Sequence, residues 1–349
     1  MWGPSERRKM KYLISPEKKQ YKANLHSHST LSDGRKTPQE LKEMYYSHGY
    51  QILSITDHER VKNHSAMNET DFLMLTGYEA HVRINPVYGR FAQEVHLNLF
   101  AKKAENETHI LFDPKYGKFY SEEELKMLEM YGPQKERVYT KEYVNELISL
   151  AKEAGYLVSY NHPYWSMESE ETILSYEGYF SLEMCNFGSW GLNHLEYNAQ
   201  LYDKMLRAGK RVFCHSTDDN HNKFPEGHPK CDSFGGFTMI LADELTYDNV
   251  INAMESGEMY ASTGPLFKEI SLEGNQIHIE CSEVESVYVY CGSKSPKCEI
   301  AEPGQTLTRV DLEIDKEAPY IRISIFDKEG KSADTRGFFR DELGFDTLD

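Results

Sequence analysis

TPQELKEMYYSHGYQILSITDH, residues 37–58, contains one complete unit of the fold that the sequence predicts. Thr37 can cap a helix, a proline occupies the first helical position, and Glu40 completes a capping box. The helix is expected to end at Gly49, because glycine readily takes the left-handed conformation found just beyond a helix. An apolar run follows and ends at Asp57 and His58. The stretch therefore predicts a helix and then a buried strand with ionisable groups at its end.

The same alternation of apolar strands and amphipathic helices continues along most of the chain. Such alternation implies a largely parallel sheet with crossover helices. With about seven such units, a closed β/α barrel is favoured over an open sheet. The predicted strands are 21–26, 51–58, 72–80, 94–100, 156–163, 179–186 and 211–221, and the predicted helices after residues 37–49 are 140–155, 196–208 and 246–257.

The pattern changes after Pro265. Residues 266–349 alternate β-forming and polar residues between turns without a helical pattern, so we predict a small all-β domain there. Residues 21–265 are assigned to the barrel and residues 1–20 to a basic N-terminal segment. A polar insertion lies between Ala101 and Thr140, with a helix predicted at 121–130; loops of this length are often functional.

The composition limits the class of protein. The 349 residues carry a formal charge of −17, which argues against binding of a long nucleic acid, because such proteins usually present a basic surface. Six cysteines without a CxxC pair favour reduced thiols and a cytoplasmic location. The sequence has neither an apolar stretch of membrane-spanning length nor an apolar leader, so we expect no association with a membrane.

Residues that can bind metal ions recur at the ends of the apolar runs. In a β/α barrel these ends meet on one face, where active sites lie. Each motif alone has a simpler explanation: His-x-His pairs arise by chance, Asp-Gly is a common turn, and a lone histidine inside an apolar run is usually a core residue. Their joint occurrence on successive strands indicates a metal site. The residues are His26, His28, Asp33, His58, Glu79, His96, His162, Asp219 and His221.

These residue types suit divalent cations. His26 and His28, two positions apart at a strand end, project from the same face and can bind one ion. Glu79 has two carboxylate oxygens and can bridge two ions, which a histidine cannot. Asp57 is expected to orient His58, because ligating groups need supporting hydrogen bonds, and Asp218 is expected to act in the same supporting layer.

The ordered set HSHSTLSDG, TDH, GYE, VHLNLF, NHP and TDDNH resembles the PHP (polymerase and histidinol phosphatase) superfamily, and within it the stand-alone metal-dependent phosphoesterases. The resemblance covers about residues 21–265. The segment ESGEMYASTGP with a β-rich tail after it is similar to the end of certain two-domain members. The resemblance implies a distorted (β/α)7 TIM-like barrel with up to three metal ions at the carboxyl ends of its strands.

The resemblance also implies how the ligands are shared. One ion would take His26, His28, Glu79 and Asp219, a second would share Glu79 and take His96 and His162, and a third would take Asp33, His58 and His221. All nine positions carry a residue able to bind a metal. Nitrogen and oxygen ligands without thiolate suit manganese, zinc or iron better than magnesium, so we expect two to three ions of those kinds.

The function implied is that of a metal-dependent hydrolase, a phosphoesterase or phosphatase. Ions of a trinuclear site would generate a bridging hydroxide and hold the phosphoryl oxygens for in-line attack. Glu79, Asp219 and His221 are expected to act in catalysis, with His221 or Asp218 protonating the leaving group. The expected partner is a phosphorylated small molecule, a nucleotide or a short oligonucleotide. The sequence does not rank the candidate phosphate-binding residues Arg35, Arg60, Arg83, Arg90 and Lys223.

Two other interpretations remain open. An amidohydrolase-type barrel, which would hydrolyse a C–N bond, also begins with His-x-His and ends with a late aspartate. The SDG, TDH and Asp-x-His elements have no role in that plan. The third interpretation is a non-catalytic, metal-bound scaffold whose β-rich domain binds a partner, and the complete ligand set argues against it.

Overall fold

The computed structural model describes residues 10–84 and 91–345. The first elements are β1 (Lys11–Ile14), β2 (Lys19–Asn24), α1 (Pro38–Ser47), β3 (Ile52–Ile55), β4 (Leu73–Arg83), β5 (Glu94–Ala101), β6 (His109–Ile110), α2 (Glu122–Met127), β7 (Met130–Tyr131), α3 (Lys141–Glu153), β8 (Tyr156–Tyr160), α4 (Glu170–Ser175), β9 (Ser181–Asn186), α5 (Phe187–Asn193), α6 (Ala199–Arg207) and β10 (Phe213–Thr217). The remaining elements are β11 (Phe237–Ala242), α7 (Tyr247–Ser256), β12 (Met259–Ser262), β13 (Phe267–Glu273), β14 (Gln276–Val284), β15 (Ser286–Tyr290), β16 (Lys297–Ile300), β17 (Leu307–Glu313), β18 (Tyr320–Phe326), β19 (Ser332–Thr335), β20 (Phe338–Phe339) and α8 (Arg340–Leu343).

Helix α1 begins with the capping box that the sequence predicts. The Glu40 amide donates to the Thr37 hydroxyl at 3.3 Å, and the Thr37 amide donates to the Glu40 carboxylate at 2.7 Å. These reciprocal bonds satisfy two amides that have no acceptor within the helix. Leu41 and Tyr45 on the inner face of α1 join a buried cluster that also contains Leu53 of β3. The helix and the strand of residues 37–58 are therefore packed as one unit.

The largest sheet carries the site. Its strand order is β10-β9-β8-β5-β4-β3-β2-β11-β12-β19-β18-β15-β16, with β20 beside β18. Strands β2, β3 and β4 are parallel neighbours, and so are β8, β9 and β10. Strand β5 runs antiparallel between β4 and β8. Six strands therefore end at one edge of the sheet, and β5 begins at that edge.

The molecule has a mixed α/β fold, but the predicted closed, largely parallel (β/α)7 barrel is not confirmed. In the described residues β10 is an end strand of the large sheet, and β11 continues the sheet antiparallel to β2. Alternation of strands and helices along a sequence does not report the direction of each strand. It also gave no separate signal for β11, which the sequence analysis did not identify as a strand.

The part of the large sheet formed by residues before 266 is called the site-bearing half. Its two sides nevertheless meet at one point. Beyond the ends of β2 and β10, Ser27 and Asn220 form an isolated parallel bridge. The Asp219 amide donates to the His26 carbonyl at 2.9 Å, and the His28 amide donates to the Asn220 carbonyl at 3.0 Å. These bonds bring the first and last predicted ligand segments side by side.

The C-terminal strands continue the same sheet. Strand β12 pairs with β19, so the pairing passes without a break from the site-bearing half into the chain after residue 266. Strands β13, β14 and β17 form a second sheet with β1, which comes from the predicted N-terminal segment. The short helix α8 interrupts the predicted all-β pattern. Within the two described ranges, no helix is long and apolar enough to span a membrane.

Candidate metal centre

The edge where the parallel strands end collects all nine predicted ligands. His96 is the third residue of β5 and was the one ligand predicted inside an apolar run. Because β5 runs antiparallel to β4 and β8, its first residues lie at the edge where its neighbours end. The strand direction therefore explains why His96 precedes the apolar part of its strand while the others follow theirs.

The Glu79 carboxylate lies at the middle of the cluster and is only 1% exposed. Its Oε1 lies 3.2 Å from His26 Nε2, 3.0 Å from His96 Nδ1 and 3.3 Å from His162 Nε2. Its Oε2 lies 2.8 Å from His58 Nδ1. With His28 Nε2 at 3.6 Å from Oε2, one buried carboxylate thus faces five imidazole rings from four segments of the chain.

Asp219 joins the first histidine pair. Its Oδ1 lies 3.2 Å from His26 Nε2 and 3.0 Å from His28 Nε2, and these two ring nitrogens are 3.2 Å apart. Asp219 has φ 51° and His162 has φ 27°, in the left-handed region that non-glycine residues seldom adopt. Backbone strain of this kind occurs at functional sites where the surrounding structure holds it in place.

Asp33 reaches the cluster from a tight loop. Its Oδ1 lies 3.3 Å from His221 Nε2 and 3.7 Å from His58 Nε2. The Gly34 amide donates to the Ser29 carbonyl at 2.9 Å, and a Cβ at residue 34 would overlap the His28 carbonyl. Glycine is therefore needed for the loop to fold back and present Asp33 to the histidines.

The two aspartates that were expected to support the metal ligands are both buried. Each of them accepts hydrogen bonds that fix a loop. Asp57, expected to orient His58, accepts hydrogen bonds from the Ser29 amide at 2.7 Å and the Ser29 hydroxyl at 2.6 Å, and so fixes the start of the Asp33 loop. Asp218 accepts hydrogen bonds from the Tyr45 hydroxyl at 2.7 Å and from the amides of residues 234–236. Burial raises the pKa of Asp218 to about 6.

Asp218 is not placed to protonate a leaving group. Both of its oxygens accept hydrogen bonds from groups behind the site, and it does not line the cavity into which Asp219 and His221 project. Of the two proton donors considered from sequence, His221 alone faces the cavity.

Sequence reasoning missed Glu183, a fully buried residue of β9. Its carboxylate accepts a hydrogen bond from His26 Nδ1 at 2.8 Å, from the His162 amide at 2.7 Å and from the Thr217 hydroxyl at 2.7 Å. Because His26 Nδ1 donates to Glu183, Nε2 is the nitrogen directed towards Glu79 and Asp219 and available to a cation there, an arrangement common for metal-binding histidines. The available signal was a glutamate inside an apolar strand, since a buried charge needs partners.

The carboxylates make the centre attractive to positive charge. Burial by itself would lower the pKa of His26, but the Asp219, Glu79 and Glu183 carboxylates outweigh it and raise this pKa well above the ordinary value. In the same way, Glu79 overcomes burial and raises the pKa of His96 to about 10. His28 differs, because burial and then the neighbouring His58 and His221 lower its pKa to about 3. Protons would therefore compete with a cation at some of these nitrogens.

The donor atoms fit divalent cations. Three groups have donor atoms that lie within 4.8 Å of one another, namely His28 with Asp33, His58 and His221, His26 with His28 and Glu79, and His58 with Glu79 and His96. Glu79 Oε2 and Asp33 Oδ1 are buried and lie near imidazole nitrogens, but these contacts lack hydrogen-bond geometry, and buried His28 Nδ1 has no hydrogen-bond partner among the described residues. Within that same part, neither Glu79 nor Asp219 forms an ion pair with a lysine or arginine. The positive charge that buried carboxylates require can come here from protonated imidazoles or from a bound metal ion.

The grouping differs in detail from the sharing that the resemblance implied. His58 has one nitrogen towards Glu79 and the other towards Asp33, so it lies between two groups. His28 likewise takes part both in the group with Glu79 and in the group with Asp33. The residues are those predicted, but two of the histidines are positioned to serve either of two adjacent sites.

A cavity of about 500 Å³ opens over the centre. Its lining includes Asp33, His58, Glu79, His96, His162, Asp219 and His221, together with Trp165, Gly188, Ser189, Gly191, Leu192, Lys223, Phe224, Lys230, Cys231 and Asp232. The volume lies in the range of sites for small molecules. His26 and His28 lie beneath this lining and are fully buried.

Lys223 is the one member of the sequence-derived cation set that lines the cavity, and Lys230 is a second cation that the sequence did not single out. Arg60 is held by Glu124 at 2.6 Å, and Arg83 lies 3.6 Å from Glu94. Arg35 does not line the cavity, and Arg90 lies outside the described residues. The cavity thus combines two lysines on the loop after β10 with a buried cluster of histidine, aspartate and glutamate residues, which are types that bind metal ions.

Comparison with protein-family models found no match, and comparison with curated proteins also found none. Among solved structures, a two-domain protein from Bacteroides vulgatus, described as containing a predicted PHP-like metal-dependent phosphoesterase, is 14% identical with a TM-score of 0.44, over 96% of this chain and 91% of the other.

Two further structures match a shorter part of the chain. A protein from Bifidobacterium adolescentis described as a candidate metal-dependent phosphoesterase is 17% identical with a TM-score of 0.39, over 66% of this chain and 94% of the other. An amidohydrolase from Chromobacterium violaceum, with bound sulfate and no metal, is 16% identical with a TM-score of 0.40, over 68% of this chain and 96% of the other.

Proposed function

We propose that the chain is a metal-dependent phosphoesterase that hydrolyses a phosphate ester of a small metabolite, a nucleotide or a short oligonucleotide. The observation that supports this most is the Glu79 carboxylate, which is buried among five imidazoles at the floor of an open cavity. Structural ion pairs seldom combine so many imidazoles with an opening to solvent, whereas hydrolytic metal sites keep an open position for substrate.

The residues divide into three proposed ligand sets at a trinuclear centre. The proposed sets are His26, His28, Glu79 and Asp219, then Glu79, His96 and His162, then Asp33, His58 and His221. The donor types suit manganese, zinc or iron. Bound ions of this kind lower the pKa of a coordinated water towards neutrality and neutralise the phosphoryl oxygens.

The side chains of the chain have their own tasks in this proposal. Glu183 holds His26 with its Nε2 towards the centre, and Asp57 holds the loop that presents Asp33. Lys223 and Lys230 supply positive charge where a phosphate dianion would enter, which a neutral amide substrate would not require. His221 lines the cavity and serves in this proposal as a ligand of the third set, with its Nε2 towards Asp33.

The direct test is hydrolysis of 4-nitrophenyl phosphate and bis(4-nitrophenyl) phosphate by protein stripped with a chelator and then reloaded with Mn²⁺ or Zn²⁺. We expect stripped protein to be inactive and reloaded protein to release 4-nitrophenol, with the two esters separating monoesterase from diesterase activity. A folded, metal-loaded protein that leaves both esters intact and cleaves an amide would contradict the proposal and favour C–N hydrolysis.

Asp33→Asn is expected to remove one ion and spare the others. Asp33 contacts only the His58 and His221 side of the cluster, and its loss leaves the His26, Glu79 and Asp219 group unchanged. Activity should fall by at least the roughly 10–100-fold that follows loss of a group supporting a metal ligand. Metal content per chain by mass spectrometry checks this, with the exposed Asp311→Asn as control. Loss of all metal in Asp33→Asn would contradict separate ion sites.

A further inference from the structure

We propose that Trp165 is a stacking platform for a planar ring in the organic part of the substrate, so that the chain favours phosphate esters of aryl or nucleoside alcohols. This inference rests on the proposed phosphoesterase function and names the substrate class of that same site. A planar ring is the shared chemistry of the two substrate types, and the experiment below distinguishes them.

Trp165 lies at the junction of the metal-binding cluster and the cavity. Its ring centroid is 5.1 Å from that of His96 and 4.8 Å from that of His162. The side chain is nevertheless 36% exposed and lines the cavity. One part of the indole therefore packs on the imidazoles, and the rest is open to a bound molecule beside the reacting phosphate.

The backbone holds this tryptophan in place before any ligand arrives. The carboxylate of buried Glu196 accepts hydrogen bonds from the Tyr164 amide at 2.9 Å and the Trp165 amide at 2.8 Å. The Ser166 amide donates to the His162 carbonyl at 3.1 Å. A turn fixed at three successive amides loses little further freedom on binding, so the contact would add affinity with a small entropic cost.

The other walls complete an apolar and cationic cavity. Leu192 of α5 is 77% exposed and Phe224 is 38% exposed, and both line the cavity with Trp165. Single exposed apolar residues are ordinary, but several around one opening mark a binding site. Lys223 and Lys230 lie in the same lining and form no ion pair with a described carboxylate. The lysines suit the phosphate, and the apolar walls suit a ring.

Stacking is favoured over simple apolar contact because of the residue type. An indole face offers a flat π surface, which is matched best by another planar ring. Stacking of a base on an aromatic side chain contributes about 1–3 kcal/mol, which corresponds to a change of roughly 5- to 160-fold in kcat/KM. An effect of this size is measurable without loss of the metal-binding side chains.

The test uses two pairs of substrates that share the same ester bond within each pair. Adenosine 5′-monophosphate and ribose 5-phosphate differ by the base, and benzyl phosphate and cyclohexylmethyl phosphate differ by the planarity of the ring. We expect Trp165→Ala to lower kcat/KM by about 5- to 160-fold for at least one planar member and by less than about 2-fold for its partner. Trp165→Phe should restore most of the loss. The pair that responds identifies the ring type.

A binding measurement separates this inference from the proposed function. Calorimetry with phenylphosphonate and methylphosphonate on Mn²⁺-loaded protein should give tighter binding of the phenyl compound, and Trp165→Ala should abolish the difference. Leu195→Ala, an exposed apolar side chain outside the cavity lining, should leave it unchanged. Equal losses for both members of every pair would overturn the platform, with hydrolysis intact. A persisting phosphonate difference without any ester hydrolysis would overturn the phosphoesterase function alone.

Discussion

Glu79→Gln is expected to lower kcat/KM for a phosphate ester by more than about 1000-fold and to reduce the bound metal sharply. Glu79 places one oxygen near His26, His96 and His162 and the other near His58, so it is the group common to two proposed ion sites. Stabilisation by bound metal contributes several kcal/mol to a hydrolytic transition state, and each 1.4 kcal/mol is a factor of ten in rate. An amide of the same shape cannot supply the negative charge.

Metal analysis and steady-state kinetics on the same preparation check this prediction. Glu107→Gln is a suitable control, because Glu107 binds Lys62 and the Asn63 amide away from the centre. Glu79→Asp keeps the charge on a shorter side chain and should lose less metal than Glu79→Gln. A Glu79→Gln protein with full metal content and unchanged kcat/KM would show that Glu79 is not the shared ligand.

A simple rule explains why the residues predicted from sequence lie close together in the structure. Buried strands consist of apolar residues, and an ionisable group directly after such a run is either paired or functional. This rule located His28, His58 and Asp219 at the ends of β2, β3 and β10. It also located His96, although its strand runs in the opposite direction and its position looked anomalous until the pairing of β5 was known.

The arrangement of the sheet could not be predicted in the same way, and the closed barrel expected from sequence is not confirmed. Local periodicity identifies strands but not the strands with which they pair. The pairings that determine the strand order join residues that are far apart in the sequence. Strand β12 pairs with β19 more than seventy positions later, and β1 pairs with β13. The first pairing ties the C-terminal strands to the site-bearing half, and the second ties the N-terminal segment to the C-terminal strands, whereas the sequence pattern suggested separate segments with boundaries near residues 20 and 265.

The residues that position the site could also not be identified from the sequence. Glu183 orients His26 across 157 positions of sequence, and Glu196 fixes the turn of Trp165 from a segment that follows β9 and α5. Lys230 enters the cavity because Asp232 binds the amides of His221 and Asn222, which folds the loop back over the centre. Each of these depends on a carboxylate meeting a group outside its own segment of the chain, for which no local pattern exists.

A buried ion network between α6 and the C-terminal strands leads to the second large prediction. The Arg322 side chain is 1% exposed and donates from Nε to Asp203 at 2.7 Å and from an Nη to the other Asp203 oxygen at 3.0 Å. It also lies 3.4 Å from Asp334, while Ser324 Oγ accepts a hydrogen bond from it at 2.6 Å. This guanidinium balances the charge of the Asp203 and Asp334 carboxylates and joins β18 to helix α6.

Arg322→Met is expected to lower the free energy of unfolding by about 3–5 kcal/mol, because removal of one partner leaves buried charge without compensation. Arg322→Lys should lower the free energy of unfolding by less, since lysine keeps the positive charge although it lacks the planar guanidinium that matches the Asp203 carboxylate. Arg309→Ala is the matched control. The Arg309 side chain is 64% exposed and lies 3.6 Å from Glu280. Its removal should lower the free energy of unfolding by about 0–1 kcal/mol. Urea unfolding followed by circular dichroism measures all three variants. If Arg322→Met were no less stable than Arg309→Ala, the network would not hold the C-terminal strands to the rest of the molecule.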